Sequence, residues 1–173
     1  SYGNNVLLGN ASFATVLTTT DSAVSFAGTV NNQVAGTPQA LTVNTGSGAI
    51  TFTGAIGSAA APIGALNLNT TGTDTLVSTV NAASLTTNAQ GTTVIQGGQV
   101  TTSGAQTYGD NVTIGATPTT LTATTAGAST ISFSGTLAHG ANVLTITGDG
   151  IDFANNVTGT GALTLQGATA AST

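Results

Sequence analysis

This chain contains no cysteine, lysine, arginine, glutamate, methionine or tryptophan. Without cysteine, no disulfide contributes to its stability, and the redox compartment is left open. Without lysine or arginine it has no fixed positive charge to set against phosphates, which excludes nucleic-acid binding and attraction to anionic lipid as functions. Its ionisable side chains, apart from tyrosine, are five aspartates and one histidine, for a net charge of −5. No apolar run approaches the roughly 18 residues that a membrane-spanning helix needs. The first residue is Ser1, with neither a methionine nor a charged signal-peptide head. The chain therefore reads as a mature fragment or an excerpt, with any export signal lying upstream. Helix is also missing from the pattern: no stretch of a dozen residues keeps apolar positions at i, i+3, i+4 and i+7 without Gly or Thr pairs breaking it.

What is present suits strands. Of 173 residues, 39% are hydrophobic and only 3% charged, enough apolar material for one substantial core. Thr is the commonest residue, and its β-branched side chain fits a pleated surface. Gly and Asn are abundant and accept sharp corners. Leu41-Thr42-Val43-Asn44-Thr45, Leu66-Asn67-Leu68-Asn69-Thr70, Leu144-Thr145-Ile146-Thr147 and Leu163-Thr164-Leu165 alternate aliphatic with Thr or Asn, the period-two mark of a half-buried strand. Gly46-Ser47-Gly48, Thr71-Gly72-Thr73-Asp74, Gly97-Gly98, Gly115-Ala116-Thr117-Pro118 and Gly159-Thr160-Gly161 carry turn chemistry between them.

The chain also repeats at two scales. Ser1-Tyr2-Gly3-Asn4-Asn5-Val6 returns as Thr107-Tyr108-Gly109-Asp110-Asn111-Val112, at an offset of 106. A shorter apolar-x-Phe phrase occurs as two pairs, Phe26 with Phe52 and Phe133 with Phe153, the second pair more closely spaced than the first. Leu41 matches Leu144, Phe52 matches Phe153 and Ala65-Leu66 matches Ala162-Leu163, at offsets that shrink to 103, 101 and 97. Turns lose residues while strands are kept. Self-similarity at roughly 20 to 50 residues marks a solenoid, whose units bury their apolar faces only against one another. A β-sandwich array competes, but its strands do not repeat one Phe-centred phrase at coil length. The expected fold is all-β: a right-handed parallel β-helix of about seven to eight coils, roughly 35 to 40 Å long. It forms one segment over residues 1–173, with internal copies at 1–106 and, shortened, at 107–173.

The run from Thr102 through Tyr108-Gly109-Asp110-Asn111-Val112-Thr113-Ile114-Gly115, followed by Ile131-Ser132-Phe133-Ser134-Gly135-Thr136-Leu137 and Leu144-Thr145-Ile146-Thr147, resembles the repeats of filamentous-haemagglutinin-like bacterial exoproteins. The similarity covers nearly the whole chain and is one of repeat style, without a catalytic signature. It implies an extracellular, cell-surface β-helical shaft serving adhesion, aggregation or biofilm. The total absence of Lys and Arg departs from that style.

Candidate sites follow from the few chemically distinctive residues. Asp149 and Asp152 in Gly148-Asp149-Gly150-Ile151-Asp152 resemble a calcium turn. The phrase occurs once, and two carboxylates fall short of the six to eight oxygens calcium takes, so a solvated turn is expected and no metal or cofactor. Paired aspartates could act on polysaccharides, but no cation is present to orient an acidic sugar, and the expectation is a noncatalytic chain. His139 reads as an exposed loop residue. Phe26, Phe52, Phe133 and Phe153 read as an interior ladder, and Tyr2 and Tyr108 as buried rings with exposed hydroxyls. Sequons begin at Asn10, Asn69, Asn111 and Asn156. An outward Thr lattice could bind ice, though the unequal coil lengths implied by the two Phe spacings argue against a regular array. The stretch from Gln166 to Thr173 resembles that from Gln96 leading to Tyr108, so head-to-tail continuation with more of the same is expected, with surface glycans as further partners.

Overall fold

A computed structural model describes residues 1–9, 14–34 and 36–167, which leaves the sequon at Asn10 and the terminal stretch 168–173 outside the described residues. The chain coils in about seven turns. The first carries β1 (Val6–Leu8) and β2 (Thr15–Thr18), and the second β3 (Val24–Phe26), β4 (Val30–Asn32) and β5 (Leu41–Gly46). Next come β6 (Ile50–Phe52) and β7 (Ile63–Thr70), then β8 (Thr73–Leu76) and β9 (Val80–Thr87). The fifth turn is β10 (Thr92–Ile95), β11 (Gln99–Thr102) and β12 (Gln106–Tyr108), and the sixth β13 (Asn111–Ile114), β14 (Thr119–Ala123) and β15 (Thr130–Phe133). The last full turn has β16 (Leu137–Gly140), β17 (Leu144–Gly148) and β18 (Gly150–Phe153), and β19 (Val157–Gly159) and β20 (Leu163–Gly167) open another.

Strands stack in parallel on three faces. The first face runs β3-β6-β8-β10-β13-β16-β19. The second runs through β4, Ile56, the start of β9, β11, β14, β17 and β20, and the third through β2, β5, β7, the end of β9, β12, β15 and β18. β9 bends round a corner, giving Val80–Ala82 to the second face and Leu85–Thr87 to the third. Parallel ladders need long crossovers, and here each crossover is the rest of a turn. This arrangement excludes the antiparallel sandwich.

Period-two alternation sets which residues enter the core. β5 reads Leu41, Val43 and Thr45 inward, and β7 places Leu66 and Leu68 over the first two; Thr70, also inward, lies opposite Gly46 after a one-residue register shift. On the second face Val30, Ile56, Val80, Val100, Leu121 and Ile146 form one column, all essentially fully buried. Such burial contributes on the order of 1.5–3 kcal/mol per aliphatic side chain. Turns are unequal in length: the circuit from Leu76 to its rung partner Ile95 is shorter than that from Phe26 to Phe52, yet both pairings hold their register, and single-residue shifts fall at Asn44/Gly46 and Ala138/Gly140. The excess is taken up at corners such as 57–62 and 124–129.

The long repeat has an unexpected geometry. Tyr2 pairs with Phe26 on the first face of the solenoid, while Tyr108 pairs with Phe133 on the third. The offset between them is therefore four turns and two further faces, not a whole number of turns. Leu41 and Leu144, Phe52 and Phe153, and Leu66 and Leu163 are displaced in the same way, each second partner one face earlier in a turn than the first. What repeats is the local corner. Asn5 Oδ1 accepts the Thr29 N–H at 3.0 Å, and Asn111 Oδ1 accepts the Thr136 N–H at 2.9 Å. Gly28 lies against the Asn4 backbone as Gly135 lies against the Asp110 backbone, so close that a Cβ on either would collide with it. One corner geometry thus serves both between the first and second faces and between the third and first.

Two local readings need correction. Thr73 and Asp74 are strand residues of β8, and the turn before them is Thr71-Gly72. His139 is not an exposed loop residue: it lies in β16, is 3% exposed, and donates from Nδ1 to the Asn142 carbonyl at 3.1 Å.

Candidate functional site

The aromatic residues form two separate columns. Tyr2, Phe26 and Phe52 stack with ring centroids 5.0 and 4.5 Å apart on the first face. Tyr108, Phe133 and Phe153 stack at 4.9 and 5.3 Å on the third. Phe26, Phe52 and Phe133 are fully buried, while Phe153, on the final rung of its face, is partly buried. In-register parallel strands put equivalent rings directly over one another at about the strand spacing, which forces near-parallel stacking. The tyrosines do not share a surface role. Tyr2 is 42% exposed, whereas Tyr108 is wholly buried and its hydroxyl donates to Gln106 Oε1 at 2.9 Å. Gln106, buried in its turn, donates Nε2 to the carbonyls of Val100 and Thr122 and to Thr102 Oγ1. Burial pushes the Tyr108 phenol well above its ordinary range, with the Asp110 carboxylate adding to the effect.

The most unusual chemistry sits at the corner between the third and first faces. Thr45, Thr70 and Thr87 turn inward here, and Asp74, Thr93 and Asp110 join them, all buried. Thr70 Oγ1 donates to the Gly48 carbonyl at 2.6 Å, and Thr45 Oγ1 also donates to that carbonyl. Thr87 Oγ1 donates to Asp110 Oδ1 at 2.8 Å, and Thr93 Oγ1 reaches both Asp110 oxygens at 2.9 Å. Burial raises the Asp110 carboxyl above the usual carboxylate range, opposed by the two threonine hydroxyls. Asp74 is fully buried in the column Ile50, Asp74, Thr93, and neither carboxylate oxygen has a hydrogen-bond partner. Burial, reinforced by the charge of Asp110, pushes its pKa up to about 8. The pair is hidden in the sequence, where Thr71-Gly72-Thr73-Asp74 reads as a turn. The strand signal was nonetheless present, since Asp74-x-Leu76 and Thr93-x-Ile95 share one alternation.

Two of the other aspartates, Asp21 and Asp149, are hydrogen-bonded at the surface. Asp21 Oδ1 accepts both the Ser47 N–H and its hydroxyl, which lowers its pKa. Asp149 Oδ2 accepts the Ala128 and Ser129 N–H groups and the Ser129 hydroxyl, so it closes a corner. Asp152 points outward from β18. The structure thus sets Asp149 and Asp152 apart, one closing a corner and the other facing outward from a strand, and among the described residues no three His or Asp side chains gather as a metal cluster.

Outward positions carry neutral hydrogen-bonding groups. On the second face Thr120 and Thr145 stand in one row with Gln99 and Thr164, and Thr122 and Thr147 in the next with Thr101 and Gln166. Register holds these rows despite unequal turn lengths, so unequal coils do not break the Thr array on this face. On the third face, Asn67 Nδ2 donates to Thr42 Oγ1 and Asn69 Nδ2 to Asn44 Oδ1, linking successive rungs. A shallow groove of about 320 Å³ lies beside the second face, between the 57–62 corner and Gln99, Thr101, Ser103 and Thr124, and it offers only amides, hydroxyls and small apolar groups. No protein-family model, curated protein or solved structure matches the chain.

Proposed function

We propose that this chain is a noncatalytic structural segment: the β-helical shaft of a bacterial surface adhesin of the filamentous-haemagglutinin-like kind, or of a self-assembling extracellular fibre, continued head to tail. The observation that carries this reading is the continuity of the interior columns. Leu163 and Leu165 occupy the same columns as Leu144 and Ile146, yet they are 36% and 49% exposed where the latter are fully buried. β18, β19 and β20 each pair on one side only among the described residues. Another turn laid on this surface would bury those side chains and complete three ladders. A contact of that kind joins unlike ends and builds open filaments. Electron microscopy and sedimentation velocity on the isolated chain test it: concentration-dependent end-to-end rods support the reading, and a monomer that stays single at high concentration contradicts it.

The aligned outward threonines favour a second reading, a module that binds ice or the surface of a carbohydrate. Successive members of a row lie about 4.8 Å apart along the stack, and neighbouring rows about 6.6 Å apart along a strand. Thermal hysteresis and polysaccharide pull-down distinguish this reading, and bulky substitutions at Thr122 and Thr147 should abolish either signal.

A further inference from the structure

We propose that Asp74 is a proton-holding site inside the rod: its fourth and fifth turns close around a protonated carboxyl, so that acid tightens this fold and alkali loosens it. The geometry comes first. Asp74 lies in an inward column between Ile50 and Thr93, is fully buried, and has no donor on either oxygen. The hydroxyl of Thr93, its rung neighbour, is turned to Asp110 instead. An ionised carboxylate in such a place lacks both water and hydrogen bonds, and a buried charge without a partner is expelled or neutralised.

No cation is at hand to neutralise it, because the chain has no lysine or arginine. The titratable groups that act on this corner are Asp110 and, through Asp110, the phenol of Tyr108. β6, β7 and β10, packed against its strand, contribute no titratable side chain. Asp21 is exposed and bonded to Ser47, and His139 lies in β16, three rungs further along the same face. Asp110 carries a negative charge of the same sign and strengthens the preference of Asp74 for its proton.

The direction follows from linkage. In the unfolded chain Asp74 ionises near 3.8, and in the fold near 8. Between these values the folded state binds the extra proton, so stability is fully present below about pH 4, declines as pH rises, and levels off above about 8. This is the reverse of ordinary acid denaturation. Asp21, with its lowered pKa, opposes the trend only at the acid end.

Thermal and urea unfolding of the whole chain from pH 4.5 to 9, for wild type, Asp74→Asn and Asp74→Leu, tests the proposal. The wild-type unfolding constant should rise by up to about tenfold per pH unit to about pH 8, and both variants should lose most of that slope. A flat or opposite wild-type profile, or variants that keep the full slope, would overturn it. Carbon-13 NMR of the wild-type Asp74 carboxyl decides the matter should neither variant fold: a midpoint above about 7 is expected, and one near the ordinary value of about 4 would overturn the proposal.

Discussion

Phe52 and Phe153 stand in the same sequence phrase but in different surroundings. Phe52 is 1% exposed and stacked on Phe26, while Phe153 lies on the final rung of its face and is only partly buried. Phe52→Ala should therefore cost roughly 3–5 kcal/mol in urea unfolding, through lost transfer energy and a cavity the rungs cannot close, and Phe153→Ala clearly less. Equal costs would show that the two columns are not as placed. Gly135→Ala should cost about 1–3 kcal/mol, because the new methyl meets the Asp110 backbone. Burial of the phenylalanines was legible in the sequence, since aliphatic or glycine neighbours at two positions' distance mark an inward face. Their division into two columns was not, because a phrase specifies which way a side chain points, not which of three faces it belongs to. Asp74 was hidden for a related reason: Thr, Gly and Asp together look like a turn, and only the pairing of β8 with β6 and β10 shows the carboxyl inside.

Strands and corners differ in how clearly they are written. The alternation of Leu41-Thr42-Val43 and Leu144-Thr145-Ile146 gave those strands directly, whereas β3, β4 and β6 are three residues long and carry too few positions for a period to show. Their register comes from neighbouring turns. Corners, by contrast, recur in recognisable form: an asparagine side chain accepts the backbone N–H of the residue after the glycine of the next turn, at Asn5 as at Asn111. If the corner is the repeating unit, Asn5→Ala should destabilise by about 1 kcal/mol, one hydrogen bond's worth, and Asn111→Ala by about 1–2 kcal/mol, because Asn111 Oδ1 also accepts the Thr136 hydroxyl. Thermal unfolding of both variants checks this; a loss at one corner and none at the other would mean that the two phrases share letters without sharing a structure. His139 illustrates the limit of composition at this scale, since Ala-His-Gly looks like a loop yet forms part of β16.

At the scale of the whole molecule, the solenoid was legible from the phrase spacings, because the step from Phe26 to Phe52, like that from Phe133 to Phe153, is one circuit of the coil. The displacement of the long repeat was not, since an offset of 106 suits four long turns as well as four and two-thirds shorter ones. Trypsin has no site in this chain, which contains no lysine or arginine. A protease of broad specificity should cut slowly and at the longer corners, such as 57–62 and 124–129, leaving the stacked rungs intact; rapid nicking throughout would count against continuous ladders. The absence of cysteine permits a direct reading of the rungs. Paired substitutions Thr51→Cys with Thr75→Cys, and Thr107→Cys with Ser132→Cys, replace outward rung neighbours on the first and third faces. Adjacent parallel strands place their Cα atoms about 4.8 Å apart, within the range a disulfide spans. Mild oxidation should close each pair, and mass spectrometry should find no bond in the chain carrying Thr51→Cys with Ser132→Cys. Failure of both rung pairs, or efficient closure of the mixed pair, would contradict the three-faced solenoid and its displaced repeat.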